Sequence, residues 1–74
     1  LRARAERLQL HGAEARIVHY LESEGADGAL ELDQPLKSWA LELGITHEAL
    51  YRALGRMTRA GRLARAGSRL RLLA

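Results

Sequence analysis

The sequence predicts a small α+β domain in which helices dominate and a β-hairpin closes the chain. Three observations predict it. Leu50, Ala53, Leu54 and Met57 recur at the i, i+3, i+4, i+7 spacing of a helix with one buried face. A shorter helical pattern precedes them, separated only by Gly44–Ile45. Past Gly61, Leu63, Leu70 and Leu72 fall in short alternating runs around "AGS", the pattern of two strands joined by a Gly-containing turn.

The bulk numbers fit that class. A chain of 74 residues makes one domain with a thin core shared by every element. Its composition, 47% hydrophobic and 28% charged, is that of a folded chain and excludes a disordered one. The absence of cysteine excludes disulfides and thiolate metal sites. No apolar run approaches the ~18 residues of a membrane span, and no signal peptide is visible. A cytoplasmic protein without membrane contact is therefore expected. The chain starts at Leu1 and is read as a piece of a longer one.

Residues 1–10, "LRARAERLQL", are helix formers with Leu1, Ala5 and Leu8 on one side, too short for a coiled coil. After Gly12 a second helix is expected, with Glu14 in its first turn and Ala13, Ile17, Val18, Tyr20 and Leu21 as its apolar positions. "SEGADG" ends it in a loop, and "ALEL" (29–32) alternates like a short strand. Pro35 suits the first turn of a helix over 35–43, capped by Asp33 or Gln34 and burying Leu36, Trp39, Ala40 and Leu43. Thr46 caps the next helix, over 46–60. Two helices joined by a turn at Gly44–Ile45 have the shape of a helix-turn-helix, and the hairpin behind them that of a wing.

Charge is divided unevenly. Residues 46–74 hold seven arginines (52, 56, 59, 62, 65, 69, 71) against Glu48 alone, a net +6. Residues 12–45 hold Arg16 and Lys37 against seven acids, a net −5. A basic end beside an acidic middle points to one face for a polyanion and another for solvent or a protein.

The stretch "LKSWALELGITHEALYRALGRMTRAGRLARAGSRLRLL" resembles the DNA-binding domain of the catabolite-activator/fumarate–nitrate-regulator (Crp–Fnr) family of bacterial transcription regulators. The matching positions are Leu36, Ala40, Leu43, Gly44, Glu48, Arg52 and Leu54, and Thr46 stands where the family usually has Ser. "GRLARAGSRLRLL" matches the family's wing, and "RLQLHGAEARIVHYL" its approach from a long dimer helix. His47, Ala49 and Tyr51 depart from the family's usual residues, which bears on the bases read and not on the binding mode. The resemblance implies a winged helix-turn-helix of three to four helices over residues 12–74, with residues 1–11 the end of a linker or dimer helix. It implies double-stranded DNA as partner, a homodimer in the full-length regulator, and contact with RNA polymerase as a further option. The sensor domain, which holds cyclic nucleotide, haem or iron–sulfur in different members, is not in this sequence. No cofactor is expected within it, and the effector is not identified.

Glu48 and Arg52 lie four apart, so an ordinary surface ion pair worth about 0.3–0.5 kcal/mol is the plain alternative. In a helix-turn-helix the same carboxylate suits cytosine N4, and the guanidinium suits guanine O6 and N7. The expected base contacts are His47, Glu48, Tyr51 and Arg52 on the recognition helix 46–60. The expected backbone contacts are Thr46, Arg56, Arg59 and Arg62, with Arg65 and Arg69 flanking the tip of the wing 62–73. His11, His19 and His47 form no metal-ligand pattern, and no Ser-His-Asp set or phosphate loop is discernible, so no enzyme is expected. A winged helix can also serve as a protein-docking module, which would show exposed apolar anchors in place of arginines.

Overall fold

The elements follow in the order α1 (Ala13–Glu24), β1 (Ala29–Glu31), α2 (Leu36–Leu43), α3 (His47–Arg59), β2 (Leu63–Ala66) and β3 (Arg69–Leu72). They belong to a computed structural model that describes residues 12–73. The helix and the linker or dimer role expected for residues 1–11 lie outside the described residues.

Between α1 and β1 the expected loop is a tight turn. Asp27 and Gly28 both take positive φ, 56° and 75°. Ala26 and Ala29 exchange both backbone hydrogen bonds across them, at 2.9 and 3.0 Å. That is the geometry of a type I′ turn, for which Asp-Gly is a favoured pair.

The start of α2 corrects the sequence reading. Pro35 occupies the capping position itself, with φ −63° and ψ 154°, and no side chain caps the helix. Neither Asp33 nor Gln34 does so. Gln34 Nε2 instead donates to Glu42 Oε1 at 3.0 Å, tying the approach to the last turn of the helix. Pro35 needs no cap for its own missing N–H, and its carbonyl accepts from Trp39 N at 3.0 Å.

The turn into α3 is fixed from both sides. Gly44 is left-handed (φ 78°, ψ 30°), a conformation that costs a residue with a Cβ. It lets Gly44 N–H reach Leu41 O at 3.1 Å and Ile45 N–H reach Ala40 O at 3.0 Å. This pair of bonds closes the helix as a Schellman motif. Two residues later Thr46 Oγ1 accepts from Ala49 N at 3.0 Å, the cap that the sequence predicted. The far end of α3 closes in the same way, with Arg62 N–H on Met57 O at 2.9 Å.

The hairpin is present, and the strand at 29–31 joins it. The antiparallel sheet has the order β1-β3-β2, with Leu30 opposite Leu70 and Arg65 also opposite Leu70 from the other side. Leu72 N–H donates to Gly28 O at 2.8 Å and Leu32 N–H to Ser68 O at 2.8 Å, so the pairing of β1 with β3 is continued past both ends of β1.

All of these elements share one core. Ile17, Tyr20 and Leu21 from α1 meet Trp39, Ala40 and Leu43 from α2 and Leu50, Ala53, Leu54 and Met57 from α3; Leu63 and Leu70 of the hairpin close it. Trp39 is fully buried, with the Tyr20 ring edge-on at 5.4 Å. The indole Nε1 has no acceptor among the described residues.

Candidate nucleic-acid interface

Burying Leu50, Ala53, Leu54 and Met57 leaves the opposite face of α3 to solvent. His47, Glu48, Tyr51 and Arg52 all lie there, exposed, on the first two turns after the Thr46 cap. Glu48 and Arg52 form an open pair at 3.8 Å, with side chains 88% and 71% exposed. Each therefore keeps most of its hydrogen-bonding capacity. The His47 and Tyr51 rings meet edge-on at 6.1 Å, which orients both side chains along the same side of the helix. These four residues are brought together. Thr46 stands beside them, with its hydroxyl oxygen occupied by the cap.

The arginines divide into three groups. Arg56 and Arg62 are bound internally. Arg56 Nε donates to Glu14 Oε2 at 2.8 Å, and Arg62 Nη2 donates to Glu14 Oε1. Glu14 is thus a bridge from α1 to the end of α3 and the start of the hairpin. The hydrogen bond from Arg56, then that from Arg62, holds its carboxyl below the usual range, and partial burial opposes them. Arg56 and Arg62 remain about half exposed, but their donors already face a carboxylate.

Arg65 and Arg69 flank the hairpin tip as expected, but on opposite faces of the sheet. The register sets Arg65 opposite Leu70 and Arg69 opposite Ala66. Residues directly opposite share a sheet face, so Arg65 lies on the face of the buried Leu70 and Arg69 on the other. Arg65 consequently borders α3. Arg69 Nη2 reaches Glu31 Oε1 at 3.4 Å, and Ser68 Oγ donates to Glu31 Oε2 at 3.2 Å, so β1 braces the tip. Arg59 and Arg65 form no ion pair among the described residues.

Two shallow grooves meet on α3 at Gly55. One runs between α3 and β2, about 400 Å³, past Tyr51, Thr58, Arg59 and Arg65. The other, about 410 Å³, follows the outer side of the helix past Arg52 and Arg56.

Sequence reasoning missed Arg16. Its Nη1 donates to Leu43 O at 3.1 Å and to Gly44 O at 2.7 Å, placing a cation on the carbonyl end of α2. The signal available was a lone arginine in an otherwise acidic stretch. Among the described residues no helix is long and apolar enough to cross a membrane, and no cluster of three potential metal-ligating side chains occurs. Comparison with protein-family models, curated proteins and solved structures finds no match to this chain.

Proposed function

We propose that this chain is a winged helix-turn-helix domain that binds double-stranded DNA in a sequence-specific way, as part of a bacterial transcription regulator. The observation that carries the reading is the first half of α3. His47, Glu48, Tyr51 and Arg52 stand together, exposed, on the helix that follows a tightly closed turn. In this reading α2 and α3 are the helix-turn-helix pair, α3 enters the major groove N-terminus first, and the β2–β3 wing lies over the phosphate backbone. Arg52 reads a guanine and Glu48 a cytosine. The full-length regulator works as a dimer on inverted half-sites about one helical turn, ~34 Å, apart.

A second reading, a protein-docking module, is favoured by Leu41 on α2 and Tyr51 on α3, exposed to 76% and 63%. Selection of binding sites from random duplexes separates the two. The wild type is expected to enrich one motif. Arg52→Ala should relax one G·C position by about 1–3 kcal/mol of discrimination, and Glu48→Ala should relax a cytosine preference. Equal enrichment by all three proteins would remove α3 as a reading helix and favour protein docking.

A further inference from the structure

Guanidinia crowd the exposed side of α3, and most have a carboxylate. Arg52 faces Glu48 at 3.8 Å, and Arg56 is held by Glu14. Arg59 and Arg65 have none among the described residues, and both line the groove between α3 and β2. Gly55 is part of that lining, with Tyr51 and Thr58 beside it.

A glycine in the middle of α3 works against the helix, because only proline is a poorer helix former. The space above it is taken by a neighbour. A Cβ at position 55 would stand 3.2 Å from Arg59 Nη1 and 3.9 Å from Arg59 Cζ. The bare backbone lets the Arg59 side chain fold back one turn and lay its guanidinium over Gly55. Two guanidinia in one open groove repel each other unless an anion lies between them. The planar fork of arginine donors matches the oxygens of a phosphate group. Thr58 Oγ1 already donates to Leu54 O at 2.7 Å, so recognition falls to the arginines.

We infer that this groove is a binding site for one phosphate-type oxyanion, held by Arg59 and Arg65, with Gly55 as the positioning residue that keeps Arg59 over it. The inference builds on the DNA-binding reading, in which the oxyanion is a backbone phosphodiester. A free phosphate compound offers the same chemistry.

The test has two arms on the full chain, each with wild type, Gly55→Ala and Arg59→Gln. In the first, inorganic phosphate is titrated at constant ionic strength against chloride, and NMR shifts are followed at the Gly55 amide and the arginine Nε–H groups. In the second, affinity for a mixed-sequence duplex is measured across a salt series. Saturable shifts at position 55, Arg59 and Arg65 are expected in the wild type, weaker ones in Gly55→Ala, where Arg59 must give by a few tenths of an ångström, and none in Arg59→Gln. Gly55→Ala should melt several degrees higher, as a better helix former, yet bind duplex about fivefold more weakly. A merely structural glycine would not move stability and binding in opposite directions. Arg59→Gln should lower the slope of log affinity against log salt by about 1, and it keeps the test open if Gly55→Ala folds poorly. If the wild type binds phosphate but no duplex, the DNA reading fails and the site belongs to a free phosphate compound. If both variants weaken duplex binding without any saturable phosphate response, the site serves the DNA backbone alone. Phosphate shifts that chloride reproduces, with duplex affinity unchanged in both variants, overturn the proposal.

Discussion

Glu14 accepts from Arg56 on one carboxylate oxygen and from Arg62 on the other. From sequence it was a helix-dipole residue, because nothing in the local pattern points to partners 42 and 48 positions away. Its lowered pKa makes the contribution to stability depend on pH. The ion pairs are fully present at neutral pH, above the ordinary Glu value of about 4.3, and are lost as pH falls through the lowered folded value. Glu14→Gln should therefore cost about 0.5–1 kcal/mol at pH 7, since the arginines are half exposed. The gap between variant and wild type should close as the solution is acidified below pH ~4. Thermal melts of both proteins across pH check this. A gap that stays constant down to strongly acidic pH would mean that the carboxylate is not what holds the two arginines.

At the scale of elements, the hairpin lies where the sequence puts it, but the sides of its strands were open. Its strands and its Gly67–Ser68 tip were legible from alternating leucines around "AGS". Its faces were not, because the alternation of β2 and β3 had to be set in register before Arg65 and Arg69 could be assigned sides. The third strand was legible as a strand but without a partner, since strand pairing across some forty residues leaves no local mark. α3 was the opposite case. Its apolar stripe, its Thr46 cap and the Gly44 turn are all short-range features, and each appears where the spacing put it. The register gives a prediction for the proposed DNA contact. Arg65→Ala should weaken binding to every duplex and lower the salt slope by about 1, whereas Arg69→Ala should do so much less, because Glu31 already faces that side chain. Equal effects of the two substitutions would show that the hairpin meets the duplex tip-first.

For the molecule as a whole, Trp39 is the largest side chain of the one core that the three helices share with the hairpin. The sequence marked this residue as the anchor between the two helices of the motif, and it is fully buried there. That its indole N–H has no acceptor among the described residues was not legible, because this emerges only when all three helices are in place. Trp39→Ala should cost about 3–5 kcal/mol, enough to unfold a marginal domain of this size. Trp39→Phe should cost far less than that. It keeps an aromatic ring against Tyr20 and removes a buried donor whose isolation costs about 1–3 kcal/mol. Chemical denaturation of both variants checks the order. A phenylalanine variant as unstable as the alanine one would mean that the N–H has an acceptor.

The same α1 helix holds the turn that precedes α3 and the last turns of α3 itself. Arg16 grips the turn that leads into it, and Glu14 grips Arg56 near its end and Arg62 just beyond. A rod held at one point can pivot, but a rod held at two points must follow whatever holds it. The angle at which His47 and Arg52 meet a surface is therefore set together with the packing of α1, on the far side of the core.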